Sequence, residues 1–491
     1  MARCSKLVIL ACAGALMTLA GCRPSDDNAL AVTVIDSRPP SIVDPADGAL
    51  SPAQQVLMQN AVQGLVRFDA RGRIESGLAE RWNVSDDGLS YVFRLTTGRW
   101  RDGRSIQARD IVRLLTRQLR GASKNVHKDA LGAVVEVVAM TDRVIEIRLS
   151  APRPNLLQLL AQPEFALTRE GLGTGPFEAE DRPHPDGSSA LLYVHRVIDG
   201  PDRRDRIDLA SASAAKAIAE FGAGKVDLVL GGTFVDLPLV RQAKIARATL
   251  RFDPVAGLFG LVPARKGGPL ADKELRLLLT QAIDRDALIA SLAVPGLVPR
   301  ATLLQGGLEG VRAPAAPGWT ATPIAERRTR LFTEARTMIG EGEPLTIAIA
   351  LPEGPGATIL FDRLAADWGA IGIRLVRADK KIPADLRLID AVAPSASPAW
   401  FVRSFRCAIM PLCVEEADVA MDSARAATVA AQRAAFITEA ARLIEEDILF
   451  LPLAAPIRWS LVGGRVEGFA ENEVARHPLT GLGERLSREG Q

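Results

Sequence analysis

The sequence predicts an α/β protein of two lobes that also carries a smaller α+β unit. Three observations lead there. The chain has 491 residues, enough for several compact units at roughly 100–200 residues each. From Gly171 onward, strand-like and helix-like stretches alternate, which is the pattern of α/β lobes. Between residues 52 and 170, short alternating runs surround one amphipathic stretch, which is the pattern of an α+β unit.

The elements follow in order. Residues 31–38 alternate Val32 and Val34 with polar neighbours and stop at Pro39-Pro40, predicting a first strand with a rigid exit. Ser51 supplies an N-cap and Pro52 a first helical position, with Leu57, Ala61 and Leu65 on one face of the helix. Residues 65–68 and 73–74 flank the turn Asp69-Ala70-Arg71-Gly72 as a hairpin. Trp82 and Val84 lead into Asp86-Asp87-Gly88, and Leu89, Tyr91, Phe93 and Leu95 alternate after it, so two strands meet at a turn. Residues 108–120 carry Ile111, Leu114, Leu115 and Leu119 at helical spacing and reach Gly121 as a C′ residue. Ile145, Ile147 and Leu149 mark another strand. Strands are then predicted at 191–197 and 226–230 around a helix at 214–221, and at 345–351 and 373–376 around a helix at 358–368. Residues 424–441 read as one Ala-rich helix, and residues 450–453 as a buried strand that Pro452 places near an edge or crossover.

Charge and termini narrow the function. Lys+Arg number 60 against 58 Asp+Glu, mixed along the chain, so no single-sign block marks a nucleic-acid or anionic-membrane footprint. Residues 1–21 read as a secretory leader: Arg3 and Lys6, an apolar run over residues 7–20 too short to span a bilayer, then Leu19-Ala20-Gly21-Cys22. Losing Arg3 and Lys6 with it takes the formal charge from +2 to zero. The four-residue box is similar to that of bacterial lipoproteins, which implies a lipid on Cys22 and a membrane held only through that anchor, with residues 22–30 as a tether. Cys407 and Cys413, six apart around Pro411, can close a local disulfide in an oxidising compartment. A zinc pair is the weaker reading, because the four histidines sit at no ligand spacing.

No motif carries catalysis. Gly171, Gly173 and Gly175 are spaced G-x-G-x-G and run into Pro176, which does not fit a dinucleotide loop. No phosphate-binding loop, nucleophile elbow or visible triad is present, and Glu415-Glu416 and Glu445-Glu446-Asp447 read as solvated helix faces. A non-enzyme without cofactor or metal is expected.

One pattern is specific. Gly77-Leu78-Ala79-Glu80-Arg81-Trp82, Val84-Ser85-Asp86-Asp87-Gly88-Leu89, Tyr91-Val92-Phe93, Trp100-Arg101-Asp102-Gly103 and Ala108-Arg109-Asp110-Ile111-Val112 resemble the signature of the family 5 extracellular solute-binding proteins, the oligopeptide and dipeptide receptors of ABC importers. Gly173-Thr174-Gly175-Pro176-Phe177, Gly224-Lys225-Val226-Asp227-Leu228, Ala282-Ile283-Asp284-Arg285, Ile371-Gly372-Ile373, Pro452-Leu453 and Val466-Glu467-Gly468-Phe469 continue the resemblance in the family order.

The resemblance implies a two-lobed periplasmic-binding-protein fold with a hinge. Residues 31–51, 172–255 and 457–491 would form the first lobe, 256–456 the second, and 52–171 an α+β subdomain inserted in the first. The chain would cross between lobes near 252–261 and 453–459. It further implies a monomeric periplasmic receptor that closes on a peptide or similarly sized solute and delivers it to an ABC permease. By matched position, Ser37, Arg38, Phe259, Gly260, Asp390, Ala391, Pro394, Phe401 and Arg403 are the expected cleft residues.

The family's run for the ligand amine resembles D-L-x-L-x-x-W-x-x-D-Y-P-x-P-x-x-F, and Asp385, Leu386, Leu388, Pro398 and Phe401 fit it. Ala391 stands in the Trp slot and Pro394 in the Asp slot, which removes the carboxylate that pairs an α-ammonium unless Asp390 replaces it. The absent carboxylate also fits an amine-free ligand, or a sensor or scaffold built on the same fold.

Overall fold

The computed structural model describes residues 29–183, 190–197, 204–312, 314–340 and 342–482. The leader, Cys22 and most of the tether lie outside the described residues. No helix among the described residues is long and apolar enough to cross a membrane.

Two mixed sheets organise the chain. The first has seven strands, in the order Leu250–Phe252, Arg458–Val462, Leu228–Thr233, Leu30–Ile35, Arg204–Ala212, Ala190–Val197, Phe177–Pro183. Leu30–Ile35 lies at its centre, parallel to both neighbours, with Val32 and Val34 fully buried. The helix Ala214–Gly222 packs on this sheet through Ala217 and Ile218, and the Ser213 hydroxyl caps it by accepting from the Lys216 N–H. The second sheet has five strands, in the order Arg374–Arg377, Thr346–Ala350, Leu386–Val392, Gly257–Pro263, Leu451–Ala454. Gly257–Pro263 is buried along its whole length, which explains its unbroken apolar run. Pro452 lies on the edge strand, where its missing N–H costs no ladder bond.

A third, antiparallel sheet of four strands, Ala79–Val84, Ser90–Leu95, Val144–Leu149 and Val134–Thr141, lies between the first strand of the large sheet and the rest of that sheet in sequence. The helix Ala108–Leu119 covers it, burying Ile111 and Leu115 against Phe93, Ile145 and Ile147. Mixed strands and helices in layers establish the predicted α/β class.

The chain passes between the two large sheets twice, through residues 253–256 and 455–457. Around these spans the sheets share one apolar core, in which the Phe234 and Phe259 rings meet edge to face with centroids 5.0 Å apart.

Three local expectations change. Ser51 and Gln54 form a reciprocal capping box, but the helix Pro52–Leu57 passes into a π-helical turn, Met58–Val62, and ends at Gln63 with φ 65°. Leu65 therefore leaves the helix face and packs in the α+β core. Gly121 is no left-handed C′ residue, since the helix before it ends with Arg120 already extended. The Ala-rich stretch is two helices, Glu415–Ala426 and Ala430–Glu446, parted where Ala427 and Val429 take extended backbone. The break lets both helices bury alanine faces, Ala420 and Ala424 from one and Ala440 and Ala441 from the other, in the same core.

Candidate functional site

The inserted unit and the helices of the second sheet face each other beside the two crossings, and polar groups collect there in three places. The first is Asp390, on the strand Leu386–Val392 opposite Phe259. Its carboxylate accepts from Arg458 Nη1 at 2.9 Å, and Arg458 lies on the first sheet just past the second crossing. Burial pushes the Asp390 carboxyl up, while the Arg458 charge opposes the rise. The Asp390 carboxylate is thus engaged inside the protein.

The second place is a buried chain of polar side chains. Gln162 Nε2 donates to the Pro394 carbonyl at 2.8 Å, tying the inserted unit to the second sheet. Arg476, from the C-terminal segment, donates to Gln162 Oε1 at 3.1 Å and to Gln55 Oε1 at 2.6 Å. Gln55 donates in turn to Glu164 Oε1 at 2.8 Å, and His127 Nε2 stands 3.9 Å from Glu164 Oε2. Burial lowers the affinity of His127 for a proton and outweighs the pull of Glu164. Four separate stretches of chain therefore meet through amide and guanidinium donors.

The third place is a cavity of about 150 Å³ between the inserted unit and the second sheet's helices. Leu159, Trp400, Met421 and Ile437 give it apolar walls, and Arg153, Arg403, Arg425 and Arg433 bring four guanidinium groups to it. Arg403 sits at the end of the helix Pro398–Arg403, and its Nη1 donates to the Asp129 carbonyl across the gap at 3.2 Å. Burial, then the neighbouring arginines, lower Arg403 to about 10, and Arg153 is lowered to about 10 for the same reasons.

The nine expected residues divide. Asp390, Ala391 and Pro394 follow one another at the facing surfaces, with Ala391 opposite Leu258 and Pro394 presenting its carbonyl. Arg403 lines the cavity. Ser37 and Arg38 are exposed just beyond the first strand, where the Arg38 N–H donates to Asp36 at 3.0 Å. Phe259 and Phe401 instead fill cores, because their rings pack against Phe234 and Trp400. Gly260 faces no opening either: an added Cβ would meet the Leu451 carbonyl oxygen at 2.5 Å. Cys407 and Cys413 are joined, with Cα atoms 5.1 Å apart. Arg458, Arg476, Gln162 and the other three cavity arginines escaped sequence reading, since the groups brought beside them come from distant parts of the chain.

The family model for bacterial extracellular solute-binding proteins, family 5 middle region, matches residues 73–376. The chain belongs to this family. Among curated relatives, the "probable di/tripeptide-binding protein 5" of Pseudomonas aeruginosa is 25% identical over 474 residues, covering 85% of this chain and 88% of the relative. The dipeptide-binding protein of Escherichia coli is 24% identical over 342 residues, 61% of this chain and 62% of that one. Among solved structures, Haemophilus influenzae OppA in complex with RPPGFSPFR superposes with a TM-score of 0.77 at 17% identity, covering 93% of this chain and 99% of that chain. The Escherichia coli murein tripeptide binding protein MppA gives 0.78 at 18% identity, covering 93% and 98%. These likenesses establish the two-lobed periplasmic-binding-protein fold for this solute-binding protein. The last two glycines of its G-x-G-x-G run are packing residues: a Cβ on Gly173 would lie 2.6 Å from Val62 Cα, and one on Gly175 2.5 Å from the Ala61 carbonyl carbon.

Proposed function

We propose that the chain is a lipid-anchored periplasmic receptor that captures a peptide or peptide-like solute between two lobes and delivers it to an ABC permease. In this reading residues 31–51, 172–255 and 457–491 move as one lobe and residues 256–456 as the other, with the inserted unit riding on the first. The observation that carries it is the pair of short crossings, 253–256 and 455–457, beside facing surfaces lined with polar donors and a cavity. Two spans bend at low cost, and contacts made only when the surfaces meet favour closure around a solute. The names of the relatives support a peptide, and Cys22 after Leu19-Ala20-Gly21 supports the anchor.

A second reading, a receptor or sensor for an amine-free solute, is favoured by Pro394 in the amine slot and by the engagement of Asp390 with Arg458. Native mass spectrometry of the chain starting after Cys22 tests both. A retained mass that leaves on unfolding is the expected result, and its composition separates peptide from non-peptide. An empty protein that ignores peptide mixtures, together with normal uptake in a deletion strain, would overturn the receptor.

A further inference from the structure

The cavity beside Arg403 is lined by four arginines and only two acids, Asp129 and Glu309. Among the described residues, none of Arg153, Arg403, Arg425 and Arg433 has an acidic group within ion-pair distance. Their bonds are to main-chain carbonyls: Arg153 Nη2 to Arg425 at 2.9 Å, Arg433 Nη1 to Pro152, and Arg403 Nη1 to Asp129 at 3.2 Å. Carbonyls orient a guanidinium but leave its charge in place. The Arg425 guanidinium donates to no group among the described residues, though it lies within 3.6 Å of where a Cβ on Gly132 would stand. Of the two acids, Glu309 is exposed and accepts from Asn155 Nδ2 at 2.7 Å, and Asp129 is exposed, accepts from Arg403 through its carbonyl and offsets part of the Arg403 charge without pairing with it.

Positive charge in excess of its counter-charge in a half-buried, apolar-walled space raises the energy of the empty protein, and an anion relieves it. Guanidinium groups match carboxylates and other oxyanions bidentately. The apolar walls match a hydrocarbon body. Beside this, the position matched to the family's amine-pairing acid is Pro394, and Asp390 is held by Arg458. We infer that the solute is an organic anion with an apolar body and no free ammonium, its acid group held by Arg403 and Arg425 at this cavity. The inference rests on the receptor reading and narrows its substrate class. An N-blocked peptide and a simple amphiphilic carboxylate share this chemistry.

Four probes on the chain starting after Cys22 test it, with titration calorimetry and intrinsic tryptophan fluorescence, to which Trp400 at the cavity contributes, as readouts: N-acetyl-Leu-Leu, Leu-Leu, Leu-Leu-amide and decanoate. The expected result is that at least one of the two anions binds tenfold or more tighter than the cationic amide, and which one binds identifies the source. Arg403→Gln should weaken that anion about tenfold or more, the loss of a charge-assisted bond, with Arg403→Lys between. If Arg403→Gln does not fold, Arg425→Gln serves, because that guanidinium holds no internal bond. Equal or tighter binding of Leu-Leu-amide, or unchanged anion affinity in a folded Arg425→Gln, would overturn the inference. Binding of zwitterionic Leu-Leu alone overturns the inference and keeps the receptor. Should no probe bind, a co-purified anion supports the inference, a co-purified cation or zwitterion overturns it, and no co-purified solute overturns both.

Discussion

The three glycines at 171, 173 and 175 stand two residues apart, and alanine at the first and at the last should fail for different reasons and by different amounts. Gly171 takes φ +76° with nothing within 4 Å of an added Cβ, so Gly171→Ala pays only the left-handed backbone penalty, about 1–2 kcal/mol. At Gly175 the new methyl would lie against the Asn60 carbonyl and 2.5 Å from the Ala61 carbonyl carbon. Real contacts stay beyond 3.0 Å, so the two backbones must part by at least 0.5 Å. That parting strains bonds made across the contact: Gly175 N–H to Ala61 at 3.0 Å, Thr174 N–H to Val62 at 3.3 Å, and Gln63 Nε2 to Thr174 at 2.8 Å. Two such bonds at about 1 kcal/mol each, with about 1–3 kcal/mol of overpacking, put Gly175→Ala at about 3–5 kcal/mol. Urea unfolding of the three single variants, followed by far-UV circular dichroism, measures the order. A Gly175→Ala protein within 1 kcal/mol of the parent, or less affected than Gly171→Ala, would refute the close-approach argument.

Two further outcomes follow from other contacts. Arg458→Met leaves the Asp390 carboxylate buried without its partner, which should cost about 3 kcal/mol at neutral pH. Because burial raises the folded pKa of Asp390 above its unfolded value of 3.8, its protonated form is the one the fold prefers; the loss should shrink as pH falls toward 4. Urea midpoints against pH for parent and variant check the sign, and a loss that grows on acidification would be inconsistent with it. Opening the Cys407–Cys413 bridge frees a loop whose ends are only six positions apart, so Cys407→Ser with Cys413→Ser should lower stability by about 2 kcal/mol, measured as a shift in unfolding midpoint against the oxidised parent.

Local chemistry made much of the fold legible. The Ser51-Pro52 start, the alternation of Tyr91, Phe93 and Leu95, and the edge position of Pro452 all depend on near neighbours, and the structure has them. What failed depended on distant ones. Alanines favour helix on both sides of residues 427–429, so propensity has no signal for a break that exists to stack two helices in one core. The π-turn at Met58–Val62 is likewise fitted to Gly173 and Gly175, more than a hundred positions away. The site divided on the same line. Matched position brought out Asp390, Pro394 and Arg403, but it also drew in Phe259 and Phe401, whose rings are core packing. Arg458 and Arg425 acquire their meaning only when strands and helices from remote parts of the chain are brought beside them.

The last strand of the large sheet has a consequence for the order of assembly. Arg458–Val462 lies between Leu228–Thr233 and Leu250–Phe252, so those two earlier strands are not joined in the sheet until it arrives. The pair Leu228–Val462 closes over the whole second sheet, which begins and ends on the adjacent strands Gly257–Pro263 and Leu451–Ala454 and needs nothing beyond them. A chain growing from its N-terminus can therefore finish its second sheet while its first still has a gap. Loop closure on that scale is slow, and the exposed edge of Leu228–Thr233 stays open for pairing in the meantime. The final thirty or so residues act as a latch: an early stop near residue 456, after Leu451–Ala454 and before Arg458–Val462, would leave a folded rear half attached to an unfinished front half, a form for proteases rather than for a solute.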